Sequence, residues 1–208
     1  MSEVKDLAHA ERAQLAVLLH SLTPQQWQAP SLCAGWTVRD VVAHMLSYEE
    51  LSPVRLARRF ARACLRFDRA NEIGLADLAG HSPQQLVDLL DRSMRPRGLT
   101  TGFGGRIALV DGMVHQQDIR RPLGIPRVIP AQRLVPALDF ALVAPPIGAR
   151  RRIRGLRLVA TDLDWTAGSG PEVRGPGEAL LMSIAGRHGV TEELEGPGLA
   201  TLHGRIGG

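Results

Sequence analysis

A chain of 208 residues, 44% hydrophobic and 22% charged, is long enough to bury a substantial core as one domain or two small ones. The formal charge of +4 is a modest excess, concentrated in ARRRIRGLRL and the arginine-rich stretch 56–69. Aromatics at 4% are too few for a base-stacking platform, so the composition argues against a nucleic-acid partner. No apolar run spans a bilayer, the start MSEVKDLAHAER lacks a signal-peptide core, and Cys33 and Cys64 have no zinc-ribbon spacing. The expectation is a cytoplasmic protein with reduced thiols and no membrane partner.

Residues 3–22 predict an amphipathic helix, with Val4, Leu7, Ala8, Leu15, Leu18, Leu19 and Leu22 near helical spacing. Thr23-Pro24 reads as a cap and first residue of a short turn. Thr37 is the next candidate N-cap, followed by a stripe of Val38, Val41, Val42, Met45 and Leu46. His44 lies on the flank of that stripe, one turn after Asp40. Residues 53–79 predict helix interrupted near Gly74, and Ser82-Pro83 opens another helix carrying Leu86, Leu89, Leu90 and Met94. RPRGLTTGFGG predicts a loop. A strong helix follows over 106–120, ended by Pro122 and Gly124, and then another over 131–143.

After Pro146 the pattern changes. GLRLVATD alternates like a half-buried strand, DWTAGSGP reads as a turn, EVRGP as a second strand and EALLMSIAGRH as an amphipathic helix. The tail GPGLATLHGRI predicts a last short element. The fold class is therefore mainly α: a helical bundle over residues 1–148 and a small α+β lobe over 149–208, joined at ARRRIRG.

The chemistry centres on VDGMVH. On a helix, Asp111 and His115 leave one face a turn apart. Such a pair is common as a solvated ion pair, but its neighbours Val110, Gly112, Met113 and Val114 are small or apolar. A buried carboxylate beside a buried histidine calls for a compensating partner, and a cation is the simplest. His44 can supply a third ligand. Two histidines and one carboxylate, with further positions open, characterise catalytic rather than structural metal sites. Asp118 and Asp40 are candidates to orient the two imidazoles from behind. For Asp118 the alternative is a salt bridge to Arg120 or Arg121, and for Asp40 a surface role. His9, His20, His81, His188 and His203 have no partner at ligand spacing. Trp36 and Trp165 read as core anchors, and nothing in the sequence marks Cys33 as activated.

PSLCAGWTVRDVVAHM and VDGMVHQQDIRRPLG together resemble the two motifs of the mycothiol-dependent maleylpyruvate isomerase family, within the DinB-like metalloprotein superfamily. LRLVATDLDWTAGSGPEVRGPGEALLMSIAGR resembles the C-terminal region of many members, so the likeness runs over nearly the whole chain. It implies a DinB-like four-helix bundle with a small C-terminal α/β lobe, and a divalent metal, most simply Zn2+, held by His44, Asp111 and His115. The family's acidic ligand is commonly glutamate; here it is the shorter Asp111. The resemblance further implies mycothiol, a sugar-linked cysteine thiol, as cofactor and a small electrophilic or carboxylate substrate. The reaction would be cis–trans isomerisation or S-transfer. Arg120 and Arg121 are candidate carboxylate clamps, with surface salt bridging as the alternative role for both. No catalytic residue beyond the ligands is singled out. A metal- or small-molecule-binding protein without catalysis, on the same scaffold, is the alternative.

Overall fold

A computed structural model describes residues 3–49, 51–96 and 98–206. It divides into two compact units, Met1–Pro126 and Arg127–Gly208. The division falls earlier than the 148/149 boundary read from the sequence.

The first unit contains seven helices among its described residues: α1 (Glu3–Ser21), α2 (Pro24–Trp27), α3 (Val38–Leu46), α4 (Pro53–Arg62), α5 (Phe67–Asp77), α6 (Pro83–Arg92) and α7 (Arg106–Arg120). Four of them form the bundle. α1 packs against α7 and α6, and α3 packs against the same two helices. The core is an aliphatic set in which Leu15, Leu19, Val41, Val42, Leu86 and Leu90 are almost wholly removed from water. At roughly 1.5–3 kcal/mol for each large side chain, burial of these stripes is what holds short helices that would not persist alone.

Helix starts follow the sequence signals closely. Thr23, Thr37 and Ser82 each close a capping box with the residue three positions on. The interruption in residues 53–79 is not at Gly74. The chain bends after α4, where Cys64 (φ 51°) and Leu65 (φ 59°) adopt the left-handed conformation, and Leu65 N–H reaches back to the Phe60 carbonyl at 2.9 Å. Gly74 stays helical inside α5 because it has no side chain: a Cβ there would stand 2.5 Å from Ser47 Oγ and 2.8 Å from an Arg59 guanidinium nitrogen. The stretch expected as a loop before α7 forms short 3-10 pieces within Gly98–Gly105, broken by a kink at Gly102, Phe103 and Gly104 where the backbone is not helical. Arg97, within that stretch, lies outside the described residues.

The second unit holds α8 (Ala131–Ala141), α9 (Ala149–Ile153), β1 (Arg157–Ala160), β2 (Thr166–Gly168), β3 (Glu172–Gly175), α10 (Gly177–Ile184) and α11 (Leu199–Ile206). Its sheet has the order β2-β1-β3, with β1 antiparallel to β2 and parallel to β3. α10 packs on α8 and β1, and Trp165 donates its indole N–H to Asp139 at 2.9 Å. These contacts assign α8 to the second unit. The segment read as a linker, ARRRIRG, begins as α9. No described helix is long and apolar enough to cross a membrane.

Candidate metal centre

α3 and α7 lie side by side in the bundle and carry the three candidate ligands. The Thr37–Asp40 box sets the start of α3: Asp40 N–H donates to Thr37 Oγ1 at 3.2 Å, and Asp40 Oδ2 accepts from Thr37 N–H at 3.0 Å. With that start, Val38, Val41, Val42 and Met45 enter the core and His44 sits at its margin, 7% exposed. On α7, Leu109 and Met113 are buried while Asp111 and His115 share the neighbouring face. Gly112 lets α1 come close, since a Cβ there would stand 3.2 Å from Glu11 Cγ.

The three side chains converge. Asp111 Oδ1 lies 3.5 Å from His115 Nε2 and 3.9 Å from His44 Nε2. The two imidazole rings stand 4.8 Å apart, nearly perpendicular. One donor atom from each of His44, Asp111 and His115 falls within a 4.8 Å group. Donors about 2.0–2.2 Å from a tetrahedral Zn2+ are roughly 3.3 Å from one another, so small side-chain adjustments would bring these atoms onto one ion. The donor set, two neutral nitrogens and one carboxylate, suits such a cation. The shorter carboxylate of Asp111 reaches both histidines. Its side chain is also the most accessible of the three, 32% exposed against 9% and 11%, so the site meets solvent along the Asp111 edge.

His115 is held at both nitrogens. Nδ1 lies 2.8 Å from Asp118 Oδ2, and Asp118 is fully buried. Cys33 Sγ donates to the same carboxylate oxygen at 3.2 Å and lies 3.9 Å from His115 Nδ1. Cys33 reaches α7 because Leu32 N–H bonds the Asp118 carbonyl at 3.0 Å. Cys33, His115 and Asp118 form a second group of potential ligands. It shares His115 with the first group through the opposite ring nitrogen.

Electrostatics reflect this crowding. Partial burial raises the Asp111 carboxyl above its usual range, against the opposing charges of His115 and Arg12. For His115 burial disfavours the cation. The charge of Asp111 and the hydrogen bonds made with Asp118, which accepts from Nδ1, and with Cys33 outweigh it, and the imidazolium is pushed up to about 10. Burial likewise raises Tyr48, which meets His44 edge-on at 6.2 Å and carries the Arg59 guanidinium over its ring at 5.0 Å. Trp36, expected as a core anchor, is only half-buried and stands 5.2 Å from the His44 ring. Behind the site, Arg12 pairs with Glu49, which also accepts from Thr100 Oγ1 at 3.1 Å.

The remaining candidates fall elsewhere. Asp40 was expected to orient His44; its carboxylate instead closes the α3 cap and meets Arg39 at 3.5 Å. Arg120 Nε donates to Gln116 Oε1 at 3.0 Å, and Gln116 in turn bonds Glu11. Five residues beyond His115, Arg120 leaves α7 about 140° around the axis. Arg121 is the C-cap of the helix. His9 bonds the Met94 carbonyl at 2.9 Å, His20 meets Asp91 at 3.1 Å, and His203 meets Thr191 at 3.1 Å.

The first unit is a helical bundle in which two histidines and a carboxylate meet between two helices, and a small mixed α/β unit follows it in the chain. Residues 8–98 match the family model described as the mycothiol maleylpyruvate isomerase N-terminal domain. The matched span includes Cys33 and His44; Asp111, His115 and Asp118 lie beyond it. Solved structures of the mycothiol-dependent maleylpyruvate isomerase and of a histidine-to-alanine mutant of it share the fold. Each aligns at a TM-score of 0.55 and 15% identity, covering 94% of this chain and 92% of the other. The sequence matches no curated protein.

Proposed function

We propose that this protein is a divalent-metal enzyme that uses mycothiol to transform a small electrophilic or carboxylate substrate, by cis–trans isomerisation or by S-transfer. The observation that carries the reading is the convergence of His44, Asp111 and His115 beside a solvent-accessible edge. The family match to the mycothiol maleylpyruvate isomerase N-terminal domain supports the choice of thiol. The nitrogen-rich donor set favours Zn2+.

When bound, such a cation lowers the pKa of a thiol or water and so supplies a nucleophile near neutral pH. The chain's own residues prepare that chemistry. Asp118 accepts the Nδ1 proton of His115, which fixes the tautomer and leaves Nε2 as a lone-pair donor. Cys33 donates to Asp118 and holds its carboxylate in place. Trp36 and Tyr48 flank His44 and limit the approach of water on that side. Reversible addition of the thiol to an activated double bond, with rotation before elimination, gives isomerisation; addition or displacement in which the sulfur stays attached gives S-transfer.

The test is calorimetric titration of the zinc-loaded protein with mycothiol, followed by absorbance assays with maleylpyruvate and with an aromatic electrophile. Metal-dependent thiol binding with turnover of either substrate is the expected result. Full metal occupancy without thiol binding would remove mycothiol from the reading. Thiol binding without turnover would leave a binding protein on an enzyme scaffold.

A further inference from the structure

α4 places Arg55, Arg58, Arg59 and Arg62 at intervals of three, four and seven residues, so all four share one face. That face lines a cleft of about 490 Å³, whose opposite wall comes from α5, α6 and the end of α3. None of His44, Asp111 and His115 lines it. Arg59 forms its floor and is 4% exposed. It is fixed there by Ser47 Oγ at 3.2 Å, Asp77 Oδ2 at 2.9 Å and the Tyr48 ring. Arg55, Arg58 and Arg62 are different: they are exposed, and no carboxylate pairs with them among the described residues. Three guanidinium groups held on one face repel one another unless an anion joins them, and each offers a planar fork of donors suited to phosphate or carboxylate. Leu46, Ile73 and Leu89 add apolar wall. The volume lies in the range of small-molecule sites, and the concavity differs from the extended face that a duplex requires.

We propose that this cleft is a second binding site, separate from the metal centre, for a small amphiphilic anion: a phosphate or carboxylate head met by Arg55, Arg58 and Arg62, with a short apolar body against Leu46, Ile73 and Leu89. The proposal is independent of the thiol and of the metal.

Calorimetric titration of the full chain with phenyl phosphate, phenylacetate and inorganic phosphate tests it. Phenyl phosphate or phenylacetate should bind more tightly than inorganic phosphate. The triple variant Arg55→Gln, Arg58→Gln, Arg62→Gln should weaken that binding by about tenfold or more. All three positions are exposed, so zinc content and circular dichroism should stay as in the parent. The two organic anions together assign the head group. Failure of both to bind at about 10 mM, or unchanged affinity in the triple variant, overturns the site. Inorganic phosphate binding as well as the organic anions would reduce it to an adventitious ion only. Salt-sensitive binding of a DNA duplex through the same arginines, without competition from phenyl phosphate, would replace it with a nucleic-acid surface.

Discussion

His115 and Asp118, three residues apart on α7, are joined by a 2.8 Å contact between Nδ1 and a carboxylate that has no exposure to solvent. The bond decides which way the imidazole faces. Nδ1 carries the shared proton and Nε2 is left toward Asp111. Asp118→Asn keeps the size but offers an amide in place of an acceptor-only group. It should therefore weaken zinc binding about 10–100-fold while leaving the helical circular dichroism unchanged. Competition with a chromophoric chelator measures this. Unchanged affinity would mean that the bond serves only packing.

Removing a donor outright should cost more. His44→Ala and His115→Ala should each abolish stoichiometric zinc in purified protein, while His188→Ala, in an exposed segment of the second unit, should retain it. Elemental analysis compares the three. Equal metal content in all of them would exclude the proposed ligand set.

The metal-free protein should lose stability as pH rises. Below 6.5 His115 is protonated in both folded and unfolded chains, and its ion pairs with Asp111 and Asp118 contribute fully. Between 6.5 and about 10 the unfolded chain releases that proton while the folded one keeps it, so folded stability falls across this window. Asp111, also raised on folding, acts in the same direction at lower pH. The Tm of the apo protein should drop more between pH 6.5 and 9 than that of His115→Gln. For a chain of this size each kcal/mol of linkage corresponds to about 2–4 °C. Zinc affinity should move the opposite way, rising with pH as protons stop competing for the donors. Parallel melting curves for the apo parent and the variant would contradict the first statement.

Local signals carried most of the helix ends. Thr23, Thr37 and Ser82 show caps in sequence and cap in structure, and α7 spans the stretch that its periodicity predicts. The positions that meet at the candidate centre were legible for a related reason: one pair is a turn apart on one helix, and the third lies at the edge of a clear apolar stripe. What depends on distant contacts was not legible. Cys33 looked inert because its loop reaches Asp118 only through tertiary hydrogen bonds. Asp40 looked like a partner for His44 at helical spacing, but the cap at Thr37 claims its carboxylate. β2 is three residues long, too short for alternation to mark it inside a glycine-rich turn.

Gly74 is the clearest case of a residue whose role inverts on folding. Its sequence context reads as a helix break, yet the structure needs glycine there so that α5 can lie against Ser47 and Arg59. Gly74→Ala should lower stability by about 1–3 kcal/mol, because Ser47 Oγ at 2.5 Å and the Arg59 guanidinium at 2.8 Å must both move. Arg59 is buried and committed to Asp77, which limits its retreat. Gly80→Ala is the control: nothing lies within 4 Å of its added Cβ, and the smaller unfolded-state entropy should raise stability by about 0.4–1 kcal/mol. Urea denaturation of both variants separates the two effects. A Gly74→Ala protein as stable as Gly80→Ala would show that α5 can shift outward freely, and that its close packing on Ser47 and Arg59 contributes little to the bundle.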